Sequence, residues 1–159
     1  MTTRRDFLKT MTMASAGLAL GAGDILANPT FASQRKITDK VKIAYVGIGN
    51  RGEQIIGDFA RTGMVEVVAL CDVDMGAPHT QKVMNLYPKA KRFRDFRQMF
   101  DKAGNEFDAV AIATPDHSHF PISMLALASG KHVYVEKPLA RTFYEGELLM
   151  QAALKRPNL

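Results

Sequence analysis

Three short stretches carry the side chains that could do chemistry. The first is VKIAYVGIGNRG, Val41 to Gly52, with glycines at Gly47, Gly49 and Gly52. Glycines so spaced let a chain turn tightly, let an anion approach the backbone, and let a helix pack close on a strand. The free N–H groups that open such a helix then offer positive partial charge to a phosphate. Asn50 and Arg51 stand inside the loop. Arg51 either adds a charge there or faces solvent. The second stretch is TPDHSHF, from Thr114, and the third is EKPL, from Glu136. His117 and His119, two residues apart, could ligate a metal, but no carboxylate or cysteine set completes a site. A local hydrogen-bonding role at a helix start suits them better, and no metal is expected. Lys137 could form a surface ion pair with Glu136. Its place at a strand end, just before Pro138, favours an amine that faces a pocket.

A glycine loop alone is weak evidence, so its surroundings decide. Asp72 lies 20 positions past Gly52, at the end of VVALCD. An acidic residue at that distance binds the adenosine ribose hydroxyls of a dinucleotide. No arginine appears among Val73, Asp74, Met75 and Gly76 to receive a 2′-phosphate, which favours NAD over NADP.

The elements that must position these groups alternate. VKIAYVGI is apolar throughout, as a strand covered on both faces should be. NRGEQIIGDFARTG then sets Ile55, Ile56, Phe59 and Ala60 on one helical face and stops at Gly63. VEVVALCDVD is a second strand, PHTQKVMNLYP a short helix, and DFRQMFDKAG a third helix capped by Asp95 and closed by Gly104. FDAVAIAT is a buried strand halted at Thr114–Pro115, HFPISMLALASG a helix with Pro121 near its start and Gly130 at its end, and KHVYVEKPL a further strand. TFYEGELLMQAALKR opens with a Thr142–Glu145 capping box and runs towards Pro157. Such alternation predicts the α/β class, a doubly wound parallel sheet of Rossmann type. The last helix has no strand behind it, so the chain reads as the front part of something longer.

Composition narrows the class. The chain has 159 residues, 47% of them apolar, and a formal net charge of +5. That length suits one globular domain. The densest basic cluster, KAKRFRDFR, is broken by Asp95 and by Phe93 and Phe96, and matches no nucleic-acid module. It reads as a solvated face with aromatics turned inward, so nucleic acid is not an expected partner. Cys71, the single cysteine, cannot form an internal disulfide and falls within an apolar strand, as a buried thiol does. Residues 1–32 read as an address: Arg4 and Arg5 precede Phe7, Leu8 and Lys9, a mildly apolar run follows, and Thr30-Phe31-Ala32 suits cleavage after Ala32, with Ala27 as the alternative. The run is too short to span a bilayer, so no stable membrane anchor is expected. The arginine pair is similar to a twin-arginine signal, which exports folded proteins to the periplasm. Residues 33–40 form a linker, and 41–159 the folded domain.

GIGNRG, CDVD and TPDHSHFPISMLALASGKHVYVEKPL together resemble the nucleotide-binding domain of the glucose–fructose oxidoreductase / inositol dehydrogenase / MocA family. The resemblance runs from about Val41 to Lys155. It implies that Gly47, Gly49, Asn50, Arg51 and Gly52 hold pyrophosphate and that Asp72 binds ribose. It also implies that Thr114, Pro115 and His119 border the cofactor. Glu136, Lys137 and Pro138 would lie by nicotinamide and substrate, with Lys137 catalytic and Pro138 often cis. Members commonly have Asn where this chain has Asp116. In the family a second α/β domain with an open antiparallel sheet carries most substrate contacts and usually the acid/base histidine, and it is absent here. The resemblance thus implies the cofactor half of an exported NAD(P)-dependent oxidoreductase, a homo-oligomer in its full-length form, acting by hydride transfer on a sugar or cyclic polyol. Two alternatives stand beside it: a non-catalytic NAD-binding fragment, and an NAD-dependent glycosidase performing redox-neutral hydrolysis or elimination.

Overall fold

The computed structural model describes residues 40–159, so the signal at 1–32 and the linker up to residue 39 lie outside the described residues. Five strands form one sheet: β1 (Val41–Val46), β2 (Val65–Cys71), β3 (Lys91–Phe93), β4 (Ala109–Ile112) and β5 (His132–Val135). Every pairing is parallel, and the spatial order is β3-β2-β1-β4-β5. Strand order therefore reverses beside β1, and the crevice between β1 and β4 is the switch point where ligands of open α/β sheets bind.

Five helices connect the strands and extend the chain: α1 (Arg51–Arg61), α2 (Pro78–Leu86), α3 (Phe96–Ala103), α4 (His119–Ala128) and α5 (Phe143–Leu154). Successive β1 side chains alternate between two cores, as the pleat requires. Ile43 and Tyr45 pack with Ile55 and Ile56 of α1 and Val83 and Met84 of α2. Ala44 and Val46 pack with Met99 of α3 and Ile122 and Ala126 of α4. Helices thus cover both sheet faces, which is why the central strands read as unbroken apolar runs.

Local signals set the ends. Asp95 caps α3 by accepting the Arg97 N–H at 2.8 Å. The Thr142 hydroxyl accepts from the Glu145 N–H, and the Glu145 carboxylate accepts from the Thr142 N–H, so both halves of the capping box form. Gly63 and Gly130 take left-handed conformations after α1 and α4. Gly104 closes α3 as expected, with φ −55° and as the start of a 3-10 turn (Gly104–Glu106). Two expectations need correction. Ala60 is exposed rather than on the buried face of α1, because Ile55 and Ile56 already fill the contact with the sheet. Finally, β5 is confined to His132–Val135 and alternates exposed and half-buried residues, the pattern of an edge strand.

Candidate functional site

The three chemical stretches converge because each follows the carboxyl end of a central or neighbouring strand. Gly47 leaves β1 with φ +81°, and a Cβ there would lie 2.7 Å from the Ala113 carbonyl and 2.8 Å from the Thr114 nitrogen. The ends of β1 and β4 therefore touch backbone to backbone, which only glycine permits. At Gly52 a Cβ would stand 2.0 Å from the Gly47 carbonyl oxygen, so α1 starts hard against the loop. Asn50 bridges the two glycines at φ 47° and leaves its side chain free of any capping bond. At Gly49 a Cβ would lie 2.3 Å from the His79 ring, so the missing side chain makes room for that imidazole.

Asp72 follows β2 and is half-buried. One carboxylate oxygen accepts the Ile48 N–H at 2.9 Å and the other the Asp74 N–H at 3.0 Å. The acid thus fixes the glycine loop while each oxygen keeps a lone pair for a further donor. A groove of about 610 Å³ opens between these parts, within the range of small-molecule sites. Gly47, Gly49, Asn50 and Asp72 line it, with Thr114 and Pro115 from the β4 side. His79, Arg94, Phe96, Arg97 and Ile122 also line it, and none of them was expected from the sequence as a site residue. The signal for Arg94 is strand order: β3 lies beside β2 in register Cys71 with Phe93, so Asp72 and Arg94 leave adjacent strands at equivalent positions.

Arg51, Glu136, Lys137, Pro138 and His119 lie outside that groove's lining. Arg51 donates to Glu136 at 3.0 Å and to Gln54 at 3.0 Å, and the Tyr134 hydroxyl donates to the same Glu136 oxygen at 3.0 Å. The Arg51 guanidinium holds the Glu136 carboxyl below its ordinary range and is itself pushed up by the bond. The pair ties the start of α1 to the end of β5. Lys137 is exposed beyond β5, with a cis bond to Pro138, and its amine makes no ion pair with the described residues. His119 is buried at 1% exposure, behind the groove wall. Its Nδ1 lies 2.7 Å from the Pro138 carbonyl oxygen and its Nε2 2.8 Å from that of Thr114. His117 instead faces the groove, so the two histidines do not share a ligand position. Among the described residues no three His, Cys, Asp or Glu side chains gather as a metal site. Burial, with the Asp72 and Asp95 charges added, pushes the Cys71 thiol up to about 12, so it sits under the site as an inert apolar group.

The glycine cradle and the anchored acid fit a dinucleotide, and the comparisons with known proteins agree. Residues 41–159 match the family model described as an oxidoreductase family, NAD-binding Rossmann fold. An alpha-N-acetylgalactosaminidase of Shewanella oneidensis is 29% identical over 89% of this chain and 35% of its own length. A glycosyl hydrolase family 109 protein 2 of a Shewanella species is 28% identical over 98% of this chain and 38% of its own length. Among solved structures, the WlbA dehydrogenase of Bordetella pertussis, in complex with NADH and UDP-GlcNAcA, matches with a TM-score of 0.64 at 26% identity, covering 74% of this chain and 35% of that one. An apo scyllo-inositol dehydrogenase of Lactobacillus casei matches with a TM-score of 0.67 at 27% identity, covering 76% of this chain and 35% of that one. The chain spans little more than a third of the length of these relatives. It belongs to the oxidoreductase family with an NAD-binding Rossmann fold, the glucose–fructose oxidoreductase / inositol dehydrogenase / MocA family, and NAD is its cofactor.

Proposed function

We propose that this chain is the cofactor half of an exported enzyme that moves a hydride to or from a secondary alcohol carbon of a sugar or cyclic polyol. The observation that carries the reading is that the glycine cradle, Asp72 and the exposed Lys137 all follow the carboxyl ends of strands in one parallel sheet, with Arg51 of the glycine loop bound to Glu136 beside Lys137. When bound, NAD supplies the hydride chemistry. Gly47, Gly49 and the opening N–H groups of α1 bind its pyrophosphate, and Asp72 accepts from its adenosine ribose. Thr114 and Pro115 border it. Glu136 is held by Arg51 and Tyr134, so it steadies the backbone that presents Lys137. The Lys137 amine polarises the reacting oxygen or helps take its proton. The similarity to sugar-nucleotide and inositol dehydrogenases supports the substrate class. The Arg4–Arg5 leader supports export to the periplasm, where no pool of free NAD exists to exchange against. A cofactor that stays bound and is restored within each cycle meets that constraint.

A second reading, redox-neutral cleavage of a glycoside, is favoured by the curated relatives, which include an alpha-N-acetylgalactosaminidase. One experiment tests both. The full-length protein is purified without added cofactor and given candidate sugars and glycosides while nicotinamide absorbance and released aglycone are followed. Bound NAD with an absorbance change under a sugar or polyol supports the first reading. Aglycone release with no net change supports the second. A protein that emerges empty and does not take up added NAD would sink both.

A further inference from the structure

NAD is preferred over NADP when an acid meets the ribose and no cation waits for a 2′-phosphate. The four residues after Asp72 contain no cation, but the fold brings one from elsewhere. The Asp72 N–H donates to the Phe93 carbonyl at 3.1 Å, so the next residue, Arg94, leaves β3 directly beside Asp72. Its guanidinium donates to the Val73 carbonyl at 3.1 Å and the Met75 carbonyl at 2.8 Å, clasping the turn that follows the acid. Those bonds use two of five N–H donors. Arg94 is exposed on the groove and has no carboxylate partner among the described residues. Arg97, which also lines the groove, is less available: it pairs with Asp95 at 3.4 Å and lies 4.4 Å from the Phe96 ring centroid. Asp74 adds a negative charge to the rim, but its side chain is 67% exposed and screened by water.

We propose that Arg94 is a latent 2′-phosphate site and that the charge of Asp72 alone keeps this chain selective for NAD. The proposal rests on the dinucleotide reading of the groove. A 2′-phosphate placed at the Asp72 side would meet a carboxylate at close range, and the repulsion outweighs what Arg94 offers. Without that charge the same phosphate gains charge-assisted bonds to the guanidinium.

The test is calorimetric titration of the folded chain with NAD and with NADP, for the wild type, D72S, R94Q and the double variant D72S/R94Q. The hydroxyl that D72S introduces keeps an acceptor for the loop amides, and circular dichroism checks folding. D72S should lose about tenfold or more in NAD affinity and gain about tenfold in NADP affinity, the scale of one charge-assisted bond. The NADP gain should vanish in the double variant. R94Q alone should lower the residual NADP affinity more than that for NAD, a readout that stands if D72S fails to fold. A D72S chain that gains nothing for NADP, a gain that survives in the double variant, or an R94Q chain whose two affinities fall equally would each overturn the proposal. A wild type that binds neither dinucleotide would overturn the groove reading itself, and this inference with it.

Discussion

At Gly52 the start of α1 crosses so near the end of β1 that a methyl group would stand 2.0 Å from the Gly47 carbonyl oxygen. Backbone lies on both sides of that contact, so neither partner can swing away. Gly52→Ala should therefore cost about 1–3 kcal/mol or more of stability, as overpacking does, measured by urea unfolding of the folded chain. At Gly49 the obstacle is the His79 ring, a side chain that can turn. Gly49→Ala should accordingly cost less in the same measurement, and equal costs would show that ring to be as fixed as backbone. The need for glycine at both positions was legible from spacing alone. What Gly49 faces was not, because the His79 contact joins a loop to a helix beyond the next strand, and no local rule reaches that far. The same limit hid the Arg51–Glu136 pair, whose members follow the ends of different strands.

Among the elements, α5 shows most plainly how much a sequence signal can define. Thr142 and Glu145 exchange both capping bonds, which the spacing of their residue types predicts. The helix packs against α4, with Leu149 buried, while Phe143, Tyr144, Met150 and Leu154 are exposed. With one narrow buried stripe, α5 draws a large share of its local stability from its start. Thr142→Ala should destabilise it by about 0.5–2 kcal/mol, seen as faster hydrogen exchange of the α5 amides. Unchanged exchange would mean that packing on α4 alone holds the helix. Strand extents were less legible than helix starts. The run through KHVYVEKPL reads as one strand, yet pairing stops at Val135 because β4 ends at Ile112 opposite it. A strand lasts as long as its neighbour does, which its own residues cannot state.

For the molecule as a whole, alternating elements predicted a parallel α/β sheet, and the sheet is parallel throughout. The order β3-β2-β1-β4-β5 was not readable from alternation, and it decides which loops share the groove. Export is a property of the full chain and belongs at this scale. Changing Arg4 and Arg5 together to Lys should strand an uncleaved precursor in the cytoplasm, followed by fractionation and immunoblotting. Normal processing of the Lys-Lys variant would remove the twin-arginine reading, and the case for a permanently held cofactor with it. The buried imidazole of His119 has a mechanical meaning for such an enzyme. Its ring sits between the carbonyl oxygens of Thr114 and Pro138; a neutral imidazole donates to one of them, so the ring works as a spacer between the loop after β4 and the loop that carries Lys137. Neither loop can close on the other without displacing a buried ring, so the gap between Thr114 and Pro138 is set by the first side chain of α4.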